Sequence, residues 1–169
     1  MAVDSVSPML PSVAAVSAVT ATRKAQVGER VRIAGNDYLY VYNAGDAQIS
    51  KGEMGFILSL SSGYSVTVSN AASQTGIDTV VGVAHNATIP TGEYGWLCTK
   101  GVVLVALDGD EVSMDAGTVL APGVDGGFVA LGAATTQTTG LRVGLGHALN
   151  SLVTTVGTGK ARFCSPIFG

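Results

Sequence analysis

Short runs of β-branched and aromatic residues, broken every 8 to 12 residues or so by Gly, Asn and Asp, recur from Val27 to the end of this chain. Val31–Ile33, Tyr38–Tyr42, Phe56–Leu60, Tyr64–Val68, Thr79–Ala84, Gly95–Thr99, Val102–Leu107, Thr118–Leu120, Phe128–Leu131, Leu141–Leu145 and Ala161–Cys164 are the candidate strands. That spacing predicts an all-β fold, a Gly-rich sandwich or small barrel. The chain holds 23 glycines in 169 residues, and glycine supplies the positive φ that tight turns and bulges require.

An internal similarity narrows the architecture. Residues 47–57 align with residues 87–97 at a constant offset of 40, matching Ala, Ile, Gly, Glu, Gly and an aromatic in order. A second echo sets Val81-Gly82-Val83-Ala84-His85 against Val143-Gly144-Leu145-Gly146-His147 at an offset of 62. Unequal offsets argue against a solenoid and for pseudo-repeated β-lobes, residues 27–75 and 76–169, or for one pseudo-symmetric barrel. In the repeated I-x-x-G-E-x-G-[FW] motif, Gly52 and Gly92 take the turn. Glu53 and Glu93 offer an acceptor to free backbone N–H groups. Gly55 and Gly95 allow a close backbone approach, and Phe56 and Trp96 enter the core.

Residues 1–26 form a separate element, an extended N-terminal arm of small residues ending near Arg23-Lys24. Val13, Val16 and Val19 cannot build a core alone and are candidates for contact with a neighbouring subunit. The leader lacks a basic n-region, since Asp4 precedes any Lys or Arg, and Pro8 and Pro11 interrupt its apolar run; no secretory signal is expected. No stretch reaches the ~18 to 20 apolar residues that cross a bilayer, so no membrane partner is expected either.

Charged residues make up 12% of the chain and hydrophobic ones 47%, so the surface must be covered largely by small and polar neutral side chains that suit packing against neighbours. A net charge of −3 with nine scattered bases gives no stripe for a phosphate backbone, and nucleic acid is not an expected partner. Cys98 and Cys164 stand apart from each other and from any ligand spacing, which favours two small, buried core thiols over a disulfide or a metal site.

The residues give no catalytic set and no expected cofactor. His85 and His147 sit in matching contexts at strand ends, which suits a shared structural task such as hydrogen-bonding a turn, and neither a nucleophile elbow nor a phosphate loop is present. Asp108-Gly109-Asp110-Glu111 with Asp115 lacks the spacing of a calcium loop. Ile89 to Gly95 is similar to the P-x-G-x-Y-G stretch of trimeric dUTPases, with Gly76-Ile77-Asp78 like their nucleoside-binding piece. The order of the two is reversed here, and Trp96 to Gly101 stands where that family has its phosphate-binding Arg-Ser-Gly.

Over residues 81–163 the chain resembles the capsid decoration, or cement, proteins of tailed bacteriophages. The matching pieces come in the family's order: Gly82-Val83-Ala84; Ile89 with Gly92-Glu93-Tyr94-Gly95-Trp96; Gly101-Val102-Val103; Ala116 to Leu120; Val143-Gly144-Leu145-Gly146; and Gly159 to Phe163. The resemblance implies a non-enzymatic, β-rich virion protein, commonly trimeric, made in the host cytoplasm. It would sit on the outer capsid surface and bridge neighbouring copies of the major capsid protein.

On that basis the arm and the Pro166-Ile167-Phe168 tail are the leading contact candidates, and deleting residues 1–22 should leave the β-domain folded while weakening shell binding. A receptor- or glycan-binding fibre head is the rival reading. It rests on Tyr38, Tyr40, Tyr42 and Tyr64, the first three of which period-2 spacing places on one strand face that could serve sugars or a subunit interface.

Overall fold

A computed structural model describes residues 16–61, 65–69, 80–108, 113–123, 126–130, 145–153 and 159–165. Every named element among them is a strand: β1 (Arg30–Ile33), β2 (Asn36–Asn43), β3 (Met54–Ser61), β4 (Ser65–Ser69), β5 (Val80–Val83), β6 (Tyr94–Val105), β7 (Ser113–Met114), β8 (Val119–Pro122), β9 (Phe128–Ala130), β10 (Gly146–Ala148), β11 (Leu152–Val153) and β12 (Gly159–Cys164). The all-β class expected from the spacing is the class observed. Two of the expected runs, Gly95–Thr99 and Val102–Leu107, fuse into the twelve-residue β6. The glycine between them, Gly101, has φ +134° and re-aims the strand without ending it.

Ten strands join in the order β1-β2-β4-β3-β5-β6-β12-β10-β8-β9, and β2 pairs in addition with β6. The pairings β2–β4, β4–β3, β3–β5, β5–β6 and β6–β2 therefore return to their starting strand. Two links in that circuit are thin: β2 and β4 share two parallel residue pairs, and β5 meets β6 only at Val83 and Cys98. The result is a strongly coiled, mainly antiparallel sheet rather than an evenly bonded barrel.

Two apolar clusters form the core. One gathers Leu39, Val41, Ile49, Val81, Ala84, Ile89 and Leu97 inside the coiled half. The other gathers Phe56, Val80, Val83, Val103, Val105, Leu120, Phe128, Leu145, Ala161 and Phe163, with Phe128 and Phe163 edge to face at 6.2 Å. In β12 the alternation is strict, with Gly159, Ala161 and Phe163 buried and Lys160, Arg162 and Cys164 exposed. One face of that sheet region therefore covers the core and the other meets solvent, the pattern that period-2 sequence dictates.

The repeated motif folds into two equivalent turns that bind each other's halves. Ser50–Glu53 and Pro90–Glu93 each close with an N–H of the glutamate donating to the first residue's carbonyl, at 3.0 and 3.2 Å. Gly52 and Gly92 sit third in these turns at φ +94° and +76°, the position where a type II turn demands left-handed backbone. Ile49 and Ile89 exchange both backbone hydrogen bonds at 2.9 Å, so the two copies meet across a local pseudo-dyad. Strands on either side of residues 75/76 pair with each other, β2 with β6 and β3 with β5, so the repeats interleave.

Candidate functional site

The duplicated motif is occupied with holding the fold. Glu53 Oε2 accepts the Ser50 backbone N–H at 2.7 Å, closing the first turn with its own side chain. Glu93 cannot repeat this cap, because the matching residue is Pro90, which has no N–H. A Cβ at Gly95 would meet Ile89 side-chain carbons at 2.7 Å, so the glycine permits the close approach that its spacing predicts. Gly55 lies buried in β3. Phe56 is buried in the core, and Trp96 is half-buried between the two clusters. Buried Asn43, at the end of β2, donates through Nδ2 to the carbonyls of Ala47 and Ile89 at 3.0 Å, pinning the same junction.

The tyrosines do not form an exposed face. Tyr38 and Tyr40 are 5% and 2% exposed and belong to the two different core clusters, while Tyr42 is half-buried. Strand β2 is covered on both sides, which period-2 spacing alone cannot reveal. Tyr40 packs on Trp96 at 4.9 Å and stacks with Tyr94 at 6.0 Å, and Tyr42 meets Tyr94 at 4.8 Å.

Part of the arm lies on this aromatic group. Thr20 and Tyr94 exchange backbone hydrogen bonds at 3.1 and 2.9 Å, and the Lys24 N–H donates to the Tyr40 hydroxyl. Val16 is 2% exposed within the first cluster and Val19 packs against the second, so both valines complete the chain's own core. Deleting residues 1–22, expected to leave the β-domain folded, would therefore also withdraw these core contacts. Val13 and the Pro166-Ile167-Phe168 tail lie outside the described residues. The last described residue, Ser165, is buried, with its hydroxyl donating to the Val80 carbonyl at 2.9 Å.

The two histidines differ in task. His85 Nδ1 accepts the Leu104 backbone N–H at 2.8 Å, and burial, reinforced by the charge of Lys51, holds its pKa below the ordinary value. His147 is exposed on β10. Burial likewise pushes the Cys98 thiol up to about 12, as a core thiol requires, whereas Cys164 is exposed because the alternation of β12 turns it to the outer face, which corrects the expectation of a second core thiol. Among the described residues no group of three or more His, Cys, Asp or Glu is placed to hold a metal ion.

What remains is an open sheet face with a groove at one end. Cross-strand pairing aligns Val102 of β6, Arg162 of β12, His147 of β10 and Val119 of β8 in one row, and all four are exposed. Val102 and Val119 are 40% and 42% exposed, unusual for valines in the middle of a sheet. Lys100, Lys160 and Cys164 are exposed on the same strands, and no Asp or Glu occurs in β6, β8, β10 or β12. The face is thus basic in a chain whose net charge is −3.

The groove, about 590 Å³, lies between this face and the β1–β2 hairpin tip and is lined by residues including Arg32, Asn36, Lys100, Val102 and Arg162. The tip is a two-residue connection, Ala34-Gly35, with φ +52° and +84°, the conformation that matches strand twist in a tight hairpin. Asn36 locks the tip to β6: its Nδ2 donates to the Val102 carbonyl and its Oδ1 accepts the Val102 N–H, both at 3.0 Å. A Cβ at Gly101 would stand 2.0 Å from Asn36 Oδ1, so this residue must be glycine for the lock to close. Among the described residues, Arg32 pairs with Asp37 at 3.4 Å, and neither Lys100 nor Arg162 is ion-paired.

Neither a protein-family model nor a curated protein matches the sequence. Among solved structures, the chain is similar to the N base of the head fiber gp8.5 of bacteriophage phi29, at 12% identity and a TM-score of 0.49, over 78% of this chain and 98% of that one. A likeness of that degree bears on neither the mechanism nor the partners of this chain.

Proposed function

We propose that this chain is a non-catalytic decoration protein that binds the outer surface of an assembled phage capsid as a homotrimer and bridges neighbouring copies of the major capsid protein. The observation that carries the reading is the face of β6, β12, β10 and β8. It is a well-supported sheet surface, core on one side and exposed valines and bases on the other, which is the form of an interface rather than of a concave site with convergent reactive groups. The side chains best able to do chemistry have structural engagements: His85 accepts from β6, Glu53 closes its own turn and Cys98 is buried. The ordered series of motifs shared with decoration proteins supplies the class. The fibre-head alternative is weakened, because Tyr38 and Tyr40 are in the core and Tyr42 is half-buried, while Tyr64 lies outside the described residues.

The mechanism is thermodynamic. A protein that binds the assembled lattice, but not separated subunits, stabilises the lattice by mass action, in proportion to the logarithm of its concentration over its dissociation constant. Quantitative mass spectrometry of gradient-purified particles from the source tests this. A copy number at a fixed, lattice-wide ratio to the main shell protein is the expected result. A few copies per particle, or none, overturns it.

A further inference from the structure

Among the described residues, no ion pair engages Lys100, Lys160 or Arg162 on the open face. Lys100, Lys160 and Arg162 project away from the core, as the burial alternation of β6 and β12 requires, and removing their charge would expose nothing. A chain of net charge −3 has nonetheless left the four central strands of this face without one acid and placed three bases there, with Arg32 across the groove and His147 beside Arg162. Interspersed with these charges are Val102 and Val119, at the two ends of one cross-strand row, and the exposed Leu149 beyond β10. Charge of one sign with apolar positions between is the pattern of a surface that recognises the opposite charge and excludes water around it.

From this we infer that the β6–β12–β10–β8 face and its groove are a docking site for an acidic segment of a protein partner, carboxylates meeting Lys100 and Arg162 and apolar side chains covering Val102 and Val119. Charge complementarity selects the occupant. Arginine presents a planar fork that fits a carboxylate with two parallel hydrogen bonds, and the groove has the volume for a few side chains, not for a folded domain. Nucleic acid fits less well. None of the strands of the face exposes an aromatic side chain on which bases could stack, and valines interrupt the bases where a phosphate backbone would need a continuous run. The inference deepens the proposed function and rests on it for the identity of the partner, an acidic surface of the shell.

The test is fluorescence anisotropy with a labelled peptide of glutamate and leucine, titrated with the full chain and with two variants. One is Lys100→Glu/Arg162→Glu. The other is Val102→Ser. All three proteins should unfold at similar urea midpoints, because the changed side chains are exposed. The expected result is saturable binding that weakens with salt, falls at least about tenfold in the charge-reversed variant and falls less in Val102→Ser.

Equal binding by all three proteins overturns the inference. So does full competition by inorganic phosphate, or tighter binding of single-stranded DNA than of the peptide, each of which would make the face a phosphate site. Loss of self-association in the charge-reversed variant, without peptide binding, overturns it in favour of a second copy as occupant. Retention of the protein on purified shells distinguishes the two readings. If the charge-reversed variant is retained as well as the parent, the proposed function stands and this inference falls. Peptide binding that the reversal abolishes, in a protein absent from shells, has the opposite meaning.

Discussion

His85 holds its place only as the neutral imidazole. Its Nδ1 accepts the Leu104 N–H, and a proton there would turn the acceptor into a second donor facing a donor. Burial and the nearby Lys51 charge both disfavour the cation, so the folded pKa lies below the ordinary 6.5. The sign of the effect on stability follows. Below pH 6.5 the unfolded chain takes up the proton and the folded chain does not, so stability is fully present above that value and is lost as pH falls towards the folded pKa. Urea midpoints should drop between neutral pH and about pH 5, and His85→Gln, which keeps an acceptor without the titration, should flatten that drop. An equally steep drop in the variant would show that another group is responsible. At this scale the glycines were the legible part, since turn chemistry is local: Gly52 and Gly92 could be placed from the repeat alone. Asn36 and Asn43 could not. Their amides bond to Val102 and Ile89, 66 and 46 residues away, and nothing in the sequence near an asparagine announces a partner so distant.

Among the elements, the arm departs most from its sequence. Residues with small side chains and no lasting period suggested a segment without a place in the β-domain, yet Thr20 adds a bridge beside β6 and Val16 enters the larger core cluster. A hydrophobic period needs several residues to declare itself, and one buried valine followed by one bridge supplies none. Most runs that fall on described residues proved to be strands, whereas residues 141–144 lie outside them and β10, at Gly146–Ala148, was not among the runs. β7 and β11, two residues each and paired only with each other, were too short to show, and the fusion of two runs into β6 was hidden because Gly101 looked like a stop. The arm's role sets a definite expectation. Removing residues 1–22 withdraws Val16 from the core and two backbone hydrogen bonds from Tyr94, a loss of roughly 2 to 4 kcal/mol. Equilibrium unfolding in urea of the truncated and full chains measures it, and equal stabilities would show that the arm does not pack as described. Because shell binding is also to be measured on truncated protein, this stability loss has to be subtracted before any contact is credited to the arm.

For the whole molecule, the consequence of interleaving is that the N-terminal half cannot bury its own core, whereas the larger cluster draws most of its residues from beyond residue 76. β2 takes six pairs from β6, from Asp37 with Lys100 to Tyr42 with Tyr94, and β3 takes Met54 with Val83 and Gly55 with Gly82 from β5. The inner cluster likewise mixes Leu39, Val41 and Ile49 with Val81, Ile89 and Leu97. The repeat announced that two copies of a motif exist; it could not say that each copy's strand would pair with the other's, because offset carries no information about partner choice. Two chains cut between residues 70 and 79, which separates β4 from β5, therefore make a decisive experiment. The N-terminal fragment alone should show no cooperative urea transition, since β2 and β3 face missing partners and the inner cluster loses Val81, Ile89 and Leu97. Mixed at equal concentration, the fragments should recover the β-sheet circular dichroism of the intact chain, with a midpoint that rises with concentration because folding and association are then one step. A cooperative transition in the isolated N-terminal fragment would contradict the interleaved topology itself, since pairing between β2 and β6 is impossible within it. Recovery on mixing would also locate the joint between the halves at β6, which pairs with β2 of the first half along one part of its length and with β12 of the second along another.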